Sequence, residues 1–197
     1  MKSKKGGQFE REFSKLLSLW YTENERDDVF WRTSGSGARA TTRRKQQKRT
    51  KYEYGDISFR DPIGLPFIDY FLLELKRGYT KDIDVLSLLD GQKGKSILLR
   101  WWDKAVEEMS FAKRKAVLLV IRRNNKKECI VISAYTFRTF KNLGFNGEFI
   151  RIKSKKTHLI IILLENFFQQ IPIKKFKILL RRNNNDKENR DTKFSST

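Results

Sequence analysis

An α/β fold, with a central mixed β-sheet flanked by helices, is what the sequence predicts, and three observations carry the prediction. An amphipathic helical segment comes first. Strand-like apolar segments follow in two groups, and helical segments separate those groups. Helices and strands in this order form layers over a sheet.

Residues 8–20, QFEREFSKLLSLW, place Phe9, Phe13, Leu16, Leu17 and Trp20 at helical spacing. DVFWRT (28–33) reads as a strand and runs into SGSGAR. Residues 37–51 have no apolar pattern, and seven of these fifteen are Lys or Arg, which predicts a mobile basic loop. GDISF (55–59) and FIDYFLLELK (67–76) read as two strands of a hairpin, with RDPIGLP as the turn. Residues 81–93 and 96–112 read as helices. AVLLVIRR and ECIVIS read as strands around NNKK, AYTFRTFKNLG as a short helix, and EFIRIK with HLIIILL as a further hairpin. KKFKILLRR closes the fold, and NNNDKENRDTKFSST is low-complexity and predicted disordered. No internal repeat is visible. The expected organisation is a core over 1–142, an extension of the same domain over 143–182 and a tail over 183–197.

The 197 residues suffice for one domain with a proper core, and 39% of them are hydrophobic. The charge is the outlier: 43 Lys+Arg against 23 Asp+Glu, net +20. Such a field favours polyanions, of which nucleic acid is the commonest large one. The single cysteine, Cys129, excludes a disulfide framework and reads as a small buried hydrophobe in a reducing, intracellular protein. The basic start, MKSKKGGQ, has no apolar core behind it and is not a secretory signal. The run LIIILL (159–164) falls well short of the roughly 20 residues a membrane span needs. A soluble intracellular protein is expected, and the Lys- and Asn-rich composition is associated with an AT-rich, viral type of genome.

The charged residues inside FLLELKR carry the chemistry. Strand alternation puts Leu72, Glu74 and Lys76 on one face and Leu73 and Leu75 on the other. In a hairpin centred on Leu65, Asp56 lies opposite Glu74, and such partners have Cβ atoms about 5 Å apart. Two facing carboxylates repel unless a cation or proton sits between them. A hard divalent ion such as Mg²⁺ takes oxygen ligands of this type and retains several waters, and Mn²⁺ can substitute. Lys76, one pleat along, adds a cation that would stabilise charge building on a phosphate under attack. A half-exposed hairpin whose charges merely face water is the bland alternative. The acid at the matching register, beside a basic Ser/Gly loop, weighs against it.

GD, an apolar strand, a turn and then ELK resemble the motif of the PD-(D/E)xK nucleases. KGGQFERE resembles the Lys-Gly-x-x-x-Glu-Arg helix start of the archaeal-type Holliday junction resolvases within that superfamily, and SGSG resembles their serine-containing loop. The likeness covers about residues 3–138. It implies a restriction-endonuclease-like core, with Asp56 and Glu74 as metal ligands, Lys76 as the catalytic lysine and Glu10 as a further acid near the metal. Glu10 lies about 20° around the helical wheel from Leu17, at the edge of the core-facing stripe, with Glu12 farther off. A homodimer that nicks branched or four-way junction DNA symmetrically is also implied. The sequence departs from the pattern in three places. Gly55-Asp56 stands for Pro-Asp, RWWDKA stands where a helix glutamine is common (Gln92 falls in another turn), and the insertion at 37–51 is long.

The basic loop offers phosphate-binding groups: Arg32, Ser34, Ser36, Arg39, Arg43, Arg44, Lys45, Lys48 and Arg49. Binding through them is expected to be salt-sensitive and sequence-blind. GQKGKS (91–96) ends like a P-loop, but Leu89 stands at the required first glycine, so nucleotide hydrolysis is rejected. Of Trp101 and Trp102, one is expected to pack and the other to meet DNA or a second subunit. His158 has no metal-ligand companion. The rival readings are a nuclease of the same fold acting on other DNA, of restriction or recombination type, and a non-enzymatic basic nucleic-acid-binding protein.

Overall fold

The computed structural model describes residues 4–33, 54–78, 96–153 and 158–181. The elements, in chain order, are α1 (Lys4–Tyr21), β1 (Phe30–Arg32), β2 (Ile57–Phe59), a 3-10 turn (Pro62–Gly64), α2 (Leu65–Tyr70) and β3 (Phe71–Arg77). Then come α3 (Ile97–Phe111), β4 (Ala116–Arg122), β5 (Cys129–Ser133), α4 (Ala134–Leu143), β6 (Phe149–Lys153), β7 (His158–Leu163) and α5 (Leu164–Gln170). A last helix, α6, spans 173–181. The predicted class holds: a five-stranded mixed sheet of order β3-β4-β5-β7-β6 is flanked by helices.

The β3–β4 pair is parallel, with Glu74 beside Leu119, and the remaining pairs are antiparallel. β4 is buried from Ala116 to Ile121, the continuous apolar run expected of an inner strand covered on both faces. On one face Phe9, Phe13 and Leu17 of α1 join Leu73, Leu75, Leu118 and Val120 in the larger core, completed by Phe167, Phe176 and Leu180 from α5 and α6. On the other, Leu98, Trp102 and Ala105 of α3 cover Leu72, Val117 and Leu119. The alternation along FLLELKR is therefore as expected.

The predicted β2–β3 hairpin is not formed. Residues 65–70 are helical, and β2 pairs antiparallel with β1 in a separate two-stranded ribbon, Trp31 opposite Ser58. Pro66 supplies the reason, because its fixed φ suits the first turn of a helix. Asp61 caps the preceding 3-10 turn by accepting from the Ile63 amide at 2.9 Å. Phe67, Ile68 and Phe71 are all buried, an i, i+1, i+4 set that a helix followed by a strand serves as well as one strand does.

The C-terminal hairpin β6–β7 is as expected, and α5 is a helix the apolar periodicity did not signal. Both tryptophans of α3 pack: Trp102 is buried and Trp101 lies half-buried against the same cluster. Cys129 is only partly buried, and that burial pushes its thiol up. The helix expected at 81–93 and the P-loop-like GQKGK fall outside the described residues. Among the described residues no helix is long and apolar enough to cross a membrane.

Candidate functional site

The site is built around the outer edge of β3. A polar stripe, Glu10, Ser14 and Ser18 on α1 with Thr22 just past its end, at i, i+4 spacing, runs beside the apolar stripe. Ser18 Oγ donates to the Ser14 carbonyl at 2.8 Å and accepts from the Phe30 amide at 2.9 Å. That bond fixes β1 against α1. Two residues along, Arg32 reaches back two helical turns, its Nε 3.0 Å from Glu10 Oε2. Gly7 allows this, since a Cβ there would meet the Arg32 guanidinium at 3.1 Å.

From the end of β1 the Thr33 amide donates to the Asp56 carbonyl at 2.8 Å. The Asp56 amide donates to the Leu73 carbonyl at 2.8 Å, and its Oδ2 accepts from the Leu75 amide at 2.7 Å. These two bonds bracket Glu74, so the acids are neighbours as expected although no hairpin joins them. The approach demands Gly55, which has φ +78° and lies where a Cβ would sit 2.7 Å from the Leu73 oxygen. Proline, fixed near −65°, has no access to that conformation, which accounts for Gly-Asp in place of Pro-Asp.

The electrostatics converge on Asp56. Burial first, then the charges of Glu74 and, more weakly, Glu10 push its carboxyl up to about 7, against the Leu75 amide and Lys76, which lower it. Lys76 Nζ is hydrogen-bonded to Glu74 Oε1, so acid and lysine neutralise each other on the shared face. Glu74 is buried, and its pairing with Lys76 answers the cost of placing charge inside a strand. All four expected residues thus lie within electrostatic reach of one point, with Glu10 turned to Arg32. Among the described residues, no group of three His, Cys, Asp or Glu side chains is gathered closely enough to hold a metal ion.

Asp56 and Glu74 nevertheless fit a hard divalent cation. They are adjacent oxygen donors, and a cation between them would offset the burial and the Glu74 repulsion that together raise the Asp56 carboxyl. Glu12, the acid set aside on the helical wheel, points elsewhere and bonds Arg122. His158 is exposed at the start of β7. Of the expected phosphate contacts only Arg32 is described; Ser34, Ser36, Arg39, Arg43, Arg44, Lys45, Lys48 and Arg49 lie outside the described residues.

One neighbour was missed. Glu108 of α3 is buried, its carboxyl raised by burial and then by the charge of Glu74, with Lys104 Nζ 3.6 Å away. The signal was present in the sequence: Glu108 lies three residues after Ala105 and six after Trp102, on the apolar stripe of its helix.

The model of the family described as "Phage putative PDDEXK endonuclease" matches residues 1–178 of the chain. Neither the curated proteins nor the solved structures include a match.

Proposed function

The chain belongs to this phage PDDEXK endonuclease family, and from that membership we propose a metal-dependent DNA endonuclease whose catalytic residues are Glu10, Asp56, Glu74 and Lys76. One observation carries the reading: Asp56 is clamped to the edge of β3 on either side of Glu74, in the negative field of Glu74 and Glu10 and beside Lys76. A solvated hairpin would have no reason to bury that repulsion. Mg²⁺, or Mn²⁺ in its place, supplies positive charge against the phosphate and makes water more acidic. Asp56 and Glu74 hold the ion, with Glu10 as the third acid. Lys76 keeps an ammonium group where a non-bridging phosphate oxygen gains charge. Hydrolysis joins water oxygen to phosphorus and breaks one bridging P–O bond, the departing oxygen taking up a proton.

For the substrate, the KGGQFERE helix start and the SGSG segment favour branched DNA, four-way junctions first, and two symmetric nicks then call for a homodimer. The long basic insertion favours the alternative, a nuclease of the same fold on other DNA. The phage family fits a viral origin.

The test is cleavage of labelled four-way junction, flap and linear duplex with and without Mg²⁺, by wild type and Asp56→Ala. Cleavage that needs Mg²⁺ and disappears in the variant, while DNA binding survives or tightens, is expected. No Mg²⁺-dependent cutting of any of the three DNAs by the wild type would leave a basic DNA-binding protein instead.

A further inference from the structure

The third acid of the site is engaged elsewhere. Glu10 is mostly buried, its side chain 16% exposed, and bonds through Oε2 to Arg32 Nε at 3.0 Å. Arg32 is 36% exposed, so one side of its guanidinium faces solvent while the other lies over Gly7. Arg32 is also covalently next to Thr33, whose amide holds the Asp56 carbonyl. The same cation therefore restrains one acid and adjoins the segment that positions another.

We propose that the Glu10–Arg32 pair is a latch that couples metal binding to DNA binding. Without DNA, Arg32 keeps Glu10 away from Asp56 and Glu74. A DNA phosphate, which accepts two parallel bonds from a planar guanidinium, draws Arg32 away. Glu10 is then released to complete the oxygen donors for a divalent cation. The charges favour this order. Arg32 leaving Glu10 unpaired raises the negative field on the site, and a divalent cation relieves it. Coupling of this kind is reciprocal, so the metal must tighten DNA by the factor by which DNA tightens the metal. Arg32 is a positioning residue in this scheme, because it acts on the metal site through Glu10. The proposal rests on the metal-site reading given above.

Binding of Ca²⁺, a hard oxygen-seeking cation, tests it with the full chain. Calorimetry reads Ca²⁺ affinity without DNA, and fluorescence anisotropy reads the affinity of a labelled duplex with and without Ca²⁺ at constant ionic strength. Asp56→Asn serves as the reference for cations that merely screen DNA. Wild type should bind the duplex about tenfold more tightly with Ca²⁺, beyond the change seen in Asp56→Asn, a factor ordinary for coupled sites. Arg32→Met should bind Ca²⁺ several-fold more tightly without DNA and lose the coupling. Arg32→Lys, which keeps a cation beside Glu10, should recover part of it. A thermal melt confirms that each variant is folded. Unchanged or weaker Ca²⁺ binding in Arg32→Met, or coupling that persists there, overturns the latch while leaving the metal site intact. Ca²⁺ binding that is the same in wild type and Asp56→Asn overturns the metal site, and the latch with it.

Discussion

Replacing Asp56 by asparagine removes a charge that the fold holds at a disadvantage while keeping a side-chain oxygen to accept from the Leu75 amide. The carboxyl ionises near 3.8 when exposed and at about 7 in the folded chain. Between these values the native state retains a proton that the unfolded state has lost. Stability therefore falls as pH rises from about 4 to about 7 and levels off above that. Each unit of separation corresponds to roughly 1.4 kcal/mol, so the ionised carboxyl costs about 1–2 kcal/mol at pH 5 and about 4 kcal/mol at pH 8. A neutral amide oxygen accepts more weakly from the Leu75 amide, which returns about 1 kcal/mol. Asp56→Asn should thus be about 3 kcal/mol more stable than wild type at pH 8 in a chelator, with the gap closing towards pH 4. Urea unfolding across this range measures it. Mg²⁺ should narrow the gap by stabilising wild type alone, by about 2.7 kcal/mol at a hundredfold excess over its dissociation constant. Parallel stability curves for the two proteins from pH 4 to pH 8 would refute the placement of Asp56 in a partly buried negative field.

Gly55→Ala should cost about 2–4 kcal/mol and abolish cleavage, because the new methyl must clear the Leu73 oxygen from a left-handed backbone; unfolding within 0.5 kcal/mol of wild type would show that the chain does not approach β3 as described. Ser18→Ala leaves the Phe30 amide without its acceptor and should cost about 1–3 kcal/mol in urea unfolding. It should also loosen β1, so cleavage falls by more than the fraction unfolded explains. Arg122→Ala removes a guanidinium that bonds Glu12 and Glu128 and lies 4.3 Å from the Phe9 ring centroid; a loss of about 1–3 kcal/mol in a melt, with duplex affinity changed only by one unit of charge, is expected.

Much of this could be read before any coordinates. Period-two alternation in FLLELKR identified which residues face which layer, and the i, i+4 aromatic spacing identified α1. What failed was the path between the acids. Residues 67–71 satisfy a helix and a strand equally, and the proline that decides between them was read as turn punctuation. The register rule nevertheless put Asp56 beside Glu74, because the loop returns the chain to the same edge by another route. Pairings between distant segments were beyond sequence reasoning. Nothing local says that Arg32 meets Glu10, although the Glu10–Ser14–Ser18–Thr22 stripe marks that side of α1 as facing something polar.

The position of the site follows from where the sheet stops. β3 is an edge strand, and an edge presents amides and carbonyls that must find partners. At Leu73 and Leu75 a single residue supplies them, Asp56 with its amide on one side and its carboxylate on the other. A full neighbouring strand would have satisfied the same groups with backbone alone and would have placed another side chain beside Glu74. One aspartate in its stead leaves the space next to Glu74 to a second carboxylate. The edge that would otherwise invite another strand is thereby closed by an acid. The device that ends the sheet and the device that would bind a cation are the same residue: Asp56→Asn should keep the first through its side-chain oxygen and lose the second, whereas Gly55→Ala should disturb both.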